Sequence, residues 1–538
     1  MTEPAPRVGA VSRLARNTVI FSIATGLSRI AGLVREIVAS SYFATSGAFS
    51  AFTIAFQVPN LVRSLFADAA LSAAFVPVFT EMLEKNQKRE AIKLASTLFF
   101  LILAVLSLVT LVFIAGAHLI MPAFTGDEFS SQLDDLTAGL AQVMFPIVVL
   151  LGLNGLLVGI LNAYDHFTIP AISPLVWNVV ILVFLIGARP FFSGDDQLYA
   201  YAIGILAGTI VQLGMAVPVL RRLGFELEVS FDWRDPRVKQ VLRLMLPVTI
   251  GLGIINFNLL INSTLGSLIS EQAPRAIDAA FRIYMLPQGI FSVAIATVLF
   301  PALSRFAANA DLAGLRDRLA QGMRLISLML VPAAAVTLAL STPITRLIYE
   351  HGEFGPGSTD LVSEALFWFS FSLPFNGLNL LLTRTFFSLQ KPWLPTAISV
   401  AGLAVNVVVS VALYGPLGIG GIVIGTAASS AATTVLLWRL AARELGGIDG
   451  RGTALASFGM LTAAAILGAA TWIVWALLDE LLGRSLVAQL VAVGAAIGVG
   501  TLAYARAVLW LEIDEARQMA QMVVARVPAL GGPLGLRP

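Results

Sequence analysis

The sequence predicts an all-α polytopic membrane protein with about fourteen transmembrane helices. Of its 538 residues, 57% are hydrophobic and only 12% are charged, and the mean hydropathy is +0.86. Soluble domains carry about 25% charged residues, so the composition is that of a membrane protein. Apolar runs of about 20 residues, long enough to cross a bilayer as helices, recur along the chain. Proline or glycine interrupts many of these runs, as the broken helices of transporters tolerate.

The apolar runs predict fourteen spans. Their limits are soft, because several runs include interfacial turns. The spans lie approximately at residues 17–43, 48–82, 91–121, 134–163, 167–191, 197–220, 240–269, 275–304, 321–349, 361–389, 393–415, 418–440, 454–478 and 485–511. We interpret the first run, which follows a basic N-terminus, as a retained span and not as a cleaved signal peptide.

Loop charges predict that both termini lie in the cytoplasm. Basic residues occupy the N-terminus and the alternate loops 85–89, 221–237, 305–318 and 439–451. The loops 126–135 and 350–360 on the opposite side contain acids but neither Lys nor Arg. An excess of Lys and Arg marks the cytoplasmic side. An even number of spans also requires both termini to share one side.

Three residue pairs with a single offset predict an internal duplication. Each pair is separated by 228 residues: Pro59 and Pro287, Pro146 and Pro374, and Asn178 and Asn406. The offset contains six spans, so the two copies have the same topology and suggest two bundles around a central cavity. The predicted domains are a cytoplasmic N-terminus (1–16), a first six-helix bundle (17–222), a cytoplasmic linker (223–239), a second six-helix bundle (240–445), two additional helices (452–512) and a cytoplasmic tail (513–538).

Several classes of function are disfavoured by composition. The chain has no cysteine, which excludes disulfides, thiol nucleophiles and thiolate metal sites. His118, His166 and His351 are far apart and lack the helical spacing of metal ligands, so no metal site is predicted. The net charge of +2 is too small to suggest a nucleic-acid partner. No P-loop pattern is present, and no cofactor is expected.

Four arginines lie inside predicted spans, where a cation at the bilayer centre costs roughly 2.5–3.5 kcal/mol on insertion scales. They are Arg29, Arg35, Arg63 and Arg282. Only Glu36 and Asp68 are expected to lie near enough to compensate, and a buried unpaired charge is costly. Arginine suits phosphate, because its planar fork donates two hydrogen bonds and stays charged. We therefore predict an anion-binding cavity, with a purely structural ion-pair network or a pore lining as the alternatives.

In the first span, helical spacing predicts a polar face about two turns tall. Ser28, Gly32 and Arg35 share one stripe by i, i+4 and i+7 spacing. Arg29 and Glu36 share the adjacent stripe. Gly32 leaves room for a close neighbour or a bend.

The second span (48–82) contains Pro59, Asn60, Arg63 and Asp68. Pro59 frees backbone carbonyls near Arg63, as expected where irregular helix lines a cavity. Arg282 lies five residues before the proline of its own repeat, whereas Arg63 follows Pro59. The two arginines are therefore not strict repeat equivalents.

These residues resemble the MurJ (MviN) family of lipid II flippases, in the multidrug/oligosaccharidyl-lipid/polysaccharide exporter superfamily. The resemblance covers most of residues 15–450 and is weaker over the last two helices. Two motifs carry most of it: Ser28-Arg29-(x)2-Gly32-(x)2-Arg35-Glu36 and Pro59-Asn60-(x)2-Arg63-(x)2-Phe66-Ala67-Asp68.

The resemblance implies a bacterial plasma-membrane flippase, not an enzyme. By alternating access, it would move undecaprenyl-diphosphate-linked disaccharide-pentapeptide to the outer leaflet for peptidoglycan synthesis. Lipid II would be the substrate, and membrane lipids and the cell-wall synthesis machinery would be partners. The last two helices, 454–478 and 485–511, would form a groove for the lipid tail. The implied substrate-binding residues are Arg29, Arg35, Arg63, Arg282, Ser28 and Asn60, with Gly32, Glu36, Pro59 and Asp68 in support.

The chain departs from the family pattern at three positions where acids are common. These positions hold Ser50, Phe281 and Met285. Fewer acids would leave the cavity more positive, which favours an anion and argues against carrying over a proton-linked role. Spans seven and eleven contain no Asp or Glu, so an acidic sodium site is not carried over. Coupling to membrane potential or an ion gradient stays open.

The flippase has three rival functions. An exporter of another polyprenyl-linked glycan is the nearest. A multidrug antiporter should show acids in its cavity for cationic drugs. A membrane glycosyltransferase needs a cytoplasmic carboxylate motif, whereas the acidic pairs at 134–135 and 195–196 fall on the outer side.

Overall fold

Helices account for nearly all of the regular structure in the computed structural model, which describes residues 8–66, 68–447 and 450–526. Side chains are described from Ile23 onward, except at 65–73, 247–248, 251–252, 255, 450–451, 453–455, 522–523 and 526. No strand occurs in these ranges, so the predicted all-α class is confirmed. The helices are α1 Val8–Phe43, α2 Gly47–Phe66, α3 Asp68–Glu84, α4 Lys88–Ile120, α5 Ser131–Met144, α6 Ile147–Ala163, α7 Thr168–Gly187, α8 Gln197–Arg222, α9 Pro236–Ser267, α10 Ala273–Pro287, α11 Val293–Ala308, α12 Leu312–Ala339, α13 Ser341–Tyr349, α14 Pro356–Ser370, α15 Leu373–Ser388, α16 Trp393–Glu444, α17 Gly450–Leu482, α18 Leu486–Trp510 and α19 Asp514–Arg526.

Many of these helices are suited to cross a membrane. Among the described residues, nine helical segments are long and apolar enough to span it, and the bent pair α14–α15 raises the number to ten. The multi-pass membrane class is therefore confirmed, while the count of fourteen stays a prediction.

α16 is a helical hairpin and not a straight rod. Its backbone turns at Gly418, which has φ 54° and ψ −136°, a conformation that glycine adopts readily. The Ser429 hydroxyl donates to the Gly402 carbonyl at 2.7 Å, and the Ser410 hydroxyl donates to the Ile422 carbonyl at 3.1 Å. Along the first arm the bonded residue number rises from 402 to 410, while along the second it falls from 429 to 422. The two arms therefore run antiparallel. The arms correspond to the predicted spans 393–415 and 418–440.

The first of two compact units comprises residues 1–272. Within it α1 packs on α7, α7 packs on α8, and α2 packs on α5. Its core includes the stacked rings of Phe113 and Phe145, with centroids 3.8 Å apart. α9, predicted to open the second bundle, packs on α2 and α3 in this unit. The contacts thus divide the chain after α9, and the limits of the two predicted repeats stay predictions.

The second unit comprises residues 273–538. In it α10 packs on α14, α11 packs on α12 and α15, and the α17–α18 pair packs on α12. Two ion pairs hold this C-terminal part against earlier helices. Arg324 Nε lies 2.5 Å from Glu515 Oε1 of α19, and Arg346 Nη1 lies 3.7 Å from Asp479 Oδ1 of α17.

Matching elements recur in the two halves of the sequence. α4 and α12 begin 224 residues apart, and α7 and α16 begin 225 residues apart. Non-glycine residues with positive φ stand just before these helices, at Asn86 and Ala310 and at Asp165 and Gln390. Positive φ is uncommon outside glycine, so its return at matching points is what a duplicated chain would show.

The α16 hairpin makes a testable prediction about packing. A Cβ at Gly421 would lie 2.2 Å from the Leu413 carbonyl oxygen, a backbone atom that cannot rotate away. Gly421→Ala should therefore lower the free energy of unfolding by about 1–3 kcal/mol. Thermal unfolding of the purified protein in detergent measures the effect. Gly415→Ala is the matched control, because nothing lies within 4 Å of that Cβ position. Equal melting temperatures for the two variants would contradict the prediction.

Candidate functional site

Arg35 is a buried cation at the contact between α1 and α7. Its side chain is 8% exposed, and its Nη1 donates to Asn178 Oδ1 at 2.9 Å. The guanidinium carbon also lies 5.0 Å from the ring centroid of Trp177, within the range of a cation–π interaction. α7 thus supplies both a neutral acceptor and an aromatic face to the charge.

The predicted stripe of α1 converges on Asn178. The Asn178 amide nitrogen donates to the Ser28 carbonyl at 3.3 Å and lies 3.5 Å from the Ser28 hydroxyl. A Cβ at Gly32 would stand 3.6 Å from Asn178 Oδ1, so Gly32 lies beside the same amide. Ser28, Gly32 and Arg35 therefore share one helix face, as their spacing indicates, and in this structure that face packs on α7.

The adjacent stripe of α1 divides between two environments. Glu36 is buried with 3% exposure, whereas Arg29 is exposed. The part of the chain that the structure describes offers the Arg29 side chain no hydrogen bond or ion pair. The side chain of Asp68, predicted as a supporting acid, lies outside the described residues. Arg29 thus leaves its charge on the helix surface.

Arg63 begins a chain of side-chain hydrogen bonds from α2 to α9. Its Nε donates to Asn60 Oδ1 at 2.9 Å, and Asn60 Nδ2 donates to Asn256 Oδ1 at 2.8 Å. Pro59 lies buried inside α2 immediately before Asn60. Since both asparagines are neutral, these bonds orient the guanidinium without cancelling its charge.

Arg282 belongs to a charged trio on α10. Arg282 Nε and Arg275 Nη1 both donate to Asp278 Oδ2, at 2.8 and 2.9 Å. The side chains of Arg275 and Asp278 are 1% and 9% exposed, whereas that of Arg282 is 36% exposed. Two guanidiniums share one carboxylate, so the trio keeps a net positive charge.

The expectation that only Glu36 and Asp68 compensate the four arginines was wrong. Asp278 is an ion-pair partner of Arg282. The i, i+4 spacing of the two residues was the signal for this pair. The sequence pattern does not point to Asn256 as part of the site, and it identifies Asn178 only as one of the repeated positions. An amide inside an apolar run was their only signal in the sequence.

The arrangement suits the binding of oxyanions. Guanidiniums donate to phosphate or carboxylate oxygens and remain charged at any cellular pH. Among the described residues, no group of three or more His, Cys, Asp or Glu side chains could hold a metal ion. Each unit carries its own arginines: Arg29, Arg35 and Arg63 in the first and Arg282 in the second. Their role in substrate binding stays a prediction.

An all-helical, multi-pass chain with arginines held inside its helices is, as a class, an integral membrane transporter. More narrowly, the chain belongs to the MurJ family, because the family model described as "Lipid II flippase MurJ" matches residues 39–492. The matched stretch includes Arg63 and Arg282 and begins after Arg35.

Individual proteins of this family are similar to the chain over most of its length. A protein described as a probable lipid II flippase MurJ from Rhizobium meliloti (strain 1021) is 32% identical over 406 residues, covering 73% of this chain and 74% of the relative. The lipid II flippase MurJ of Burkholderia cenocepacia is 29% identical over 424 residues, covering 77% and 81%.

Solved structures share the fold. A lipid II flippase MurJ in an inward closed conformation superposes with a TM-score of 0.72 at 21% identity, covering 91% of this chain and 100% of that one. A multidrug resistance MATE family transporter of the MOP superfamily, in an inward-facing conformation, gives 0.68 at 14% identity, covering 80% and 98%. At these identities the likeness concerns the fold alone.

Removing the amide beside Arg35 should weaken the α1–α7 contact. Asn178→Ala takes away the Nη1 acceptor, and a hydrogen bond to a charged group is worth about 1.5–3 kcal/mol. We expect a loss of that size in thermal or denaturant unfolding. In an Arg35→Ala background the same change should cost much less, because the charge is gone. Strictly additive losses in the double variant would refute the coupling.

Within the α10 trio, substitution of Asp278 and substitution of Arg282 should differ in their effect on the free energy of unfolding. Asp278→Asn removes the carboxylate that pairs with the buried Arg275, and we expect a loss of about 3–5 kcal/mol. Arg282→Gln keeps the Arg275–Asp278 pair and removes a half-exposed, solvent-screened charge, so it should cost about 0–1 kcal/mol. Expression yield and thermal unfolding measure both. A similar loss in the two variants would show that burial of Arg275 does not control stability.

Proposed function

We propose that the chain is a lipid II flippase. It moves the undecaprenyl-diphosphate-linked peptidoglycan precursor from the inner to the outer leaflet of the bacterial plasma membrane by alternating access. No covalent bond changes in this process, so the protein is a transporter and not an enzyme. Membership of the MurJ family supports the assignment.

The observation that carries the chemistry is the chain Arg63–Asn60–Asn256. The neutral amides fix the direction of the guanidinium, and arginine keeps its proton at any cellular pH. Such a group suits the diphosphate of the carrier lipid, whose oxygens accept paired hydrogen bonds from the planar fork. A carboxylate in place of Asn60 would compete with the phosphate for the same donors.

Arg282 is the second proposed contact to the diphosphate. Arg282 Nε donates to Asp278 Oδ2, which sets the direction of the guanidinium. Arg275 Nη1 donates to the same carboxylate oxygen. The shared acid cannot neutralise both cations, and the more exposed of the two is Arg282. Arg63 and Arg282 would each donate to phosphoryl oxygens during transport.

The remaining predicted residues have different surroundings. Arg29 is exposed and suits an anionic headgroup. Arg35 and Ser28 are engaged with Asn178, so we propose that they bind substrate only when α1 moves relative to α7.

Several further features belong to this proposal. Both termini lie in the cytoplasm, the α17–α18 pair holds the lipid tail, and the cell-wall synthesis machinery is a partner. No cofactor is needed, and transport is driven by membrane potential or an ion gradient.

A related cargo is the alternative. Another polyprenyl-linked glycan carries the same diphosphate, and the arginines would bind it equally well. Native mass spectrometry of the purified protein separates these cargoes by the mass of the lipid that co-purifies. A multidrug transporter shares the fold, and saturable drug efflux by the pure protein would favour that function.

Arg63→Ala and Arg282→Ala should each insert normally and fail to restore growth after depletion of the host's own lipid II flippase. The Lys variants should restore growth partly, because an ammonium keeps the charge but loses the bidentate geometry. Arg316→Ala is the control, since its exposed side chain lies near the start of α12, before the predicted span 321–349, with its Nε 3.4 Å from Asp317 Oδ1. Full restoration of growth by both alanine variants, at normal membrane levels, would overturn the proposed binding role.

A further inference from the structure

The connection between α8 and α9 contains a strip of alternating exposed apolar residues. In the non-helical segment 225–233, Leu227, Val229, Phe231 and Trp233 are exposed by 44%, 79%, 57% and 58%. Alternation with a period of two is typical of an extended chain that presents one face outward. We call this segment the interfacial strip.

The interfacial strip is fixed along α4 by its other residues. The Glu228 backbone N–H donates to Ser96 Oγ at 3.1 Å, and the hydroxyls of Ser230 and Thr97 lie 2.7 Å apart. Phe225, at the start of the strip, is buried in the core around α3 and α4. These contacts hold the strip against α4 while its four apolar side chains stay exposed.

Two further contacts show which part of α4 the strip lies beside. Asp232 pairs with Lys93 at 3.3 Å, and the Phe231 ring lies 5.6 Å from the Phe100 ring. At 1.5 Å per residue, Lys93 and Phe100 are separated by about 10 Å along the helix. The candidate span 88–124 contains an 18-residue window with a mean hydropathy of 3.0. The strip thus lies where α4 passes from its charged end into its apolar part.

We propose that the interfacial strip is a membrane anchor, whose apolar side chains enter the leaflet on the side of the basic loops, the cytoplasmic one under the positive-inside rule. This interaction surface goes beyond transport of the cargo. Non-helical backbone needs hydrogen-bond partners that hydrocarbon lacks, so the strip lies among the headgroups and the first acyl carbons.

The partner is lipid because of the surroundings of the strip. Its apolar face continues the outer surface of a membrane-spanning helix. Arg234 directly follows the strip, and Lys88 Nζ lies 3.5 Å from the Cβ position of Gly224 at its other end. Both side chains are exposed, as are the acids Glu226 and Glu228 within the strip. The positive charge at the two ends complements anionic headgroups. The Arg234 guanidinium lies 5.0 Å from the Trp233 ring centroid, and such amphipathic side chains are enriched at membrane interfaces.

Anchoring here would also fix the beginning of α9. That helix starts at Pro236, immediately after the strip, and Arg237 Nη1 pairs with Glu90 Oε2 at 3.0 Å. α9 carries Asn256, the distal member of the hydrogen-bond chain from Arg63. The membrane surface would thereby steady the helix that orients the proposed cargo contact.

The cysteine-free chain allows a direct test. Val229→Cys and Leu227→Cys are each labelled with an environment-sensitive fluorophore in vesicles of phosphatidylglycerol and phosphatidylcholine. Nitroxides on shallow acyl carbons and aqueous iodide serve as quenchers. Lys85→Cys is the control, because its side chain is 61% exposed in a charged turn. We expect about twofold or more stronger nitroxide quenching, and weaker iodide quenching, at the strip than at the control.

Two results would overturn the anchor. The first is iodide quenching at 227 and 229 equal to that at 85, in variants that elute as monodisperse protein. The second is protection from iodide in native membranes but not in pure lipid vesicles, which would assign the strip to a protein partner. Neither measurement depends on transport, so the anchor and the flippase proposal can fail independently.

Discussion

A positive charge kept inside an apolar helix bundle is the constraint on which the functional part of this protein depends. A buried guanidinium must have acceptors, and a carboxylate supplies them at the expense of the charge. The partly buried Arg63 donates to Asn60 on α2, which in turn donates to Asn256 on α9. α10 meets this requirement by sharing Asp278 between two arginines. Both arrangements give the guanidiniums acceptors that fix their direction.

The fold alone does not select that cargo. Chains with 14% and 21% identity, a multidrug transporter and a lipid II flippase, superpose on this one with TM-scores of 0.68 and 0.72. Apolar patterning, proline breaks and close helix contacts are enough to build the shared scaffold. Specificity therefore lies in the few polar side chains that the scaffold positions.

Helical spacing and hydropathy predicted those features that are determined by residues close together in the sequence. The stripe of Ser28, Gly32 and Arg35 does share one face, and the two arms of α16 match two predicted spans. The residue that this stripe meets, Asn178, lies 143 residues beyond Arg35. Spacing within one helix carries no information on such a partner. The same limit explains why the sequence places α9 in the second bundle although it packs on α2 and α3. Hydropathy locates a helix but does not indicate which other helices it packs on.

The Arg63–Asn60–Asn256 chain has a consequence for how a cargo leaves. Arginine holds its proton at any cellular pH, and an amide has none to exchange in that range. Within these three residues, acidification of one side of the membrane therefore changes nothing. If Arg63 binds the diphosphate as proposed, release would come from geometry, through a change in the spacing of α2 and α9 that turns the guanidinium away from the phosphate.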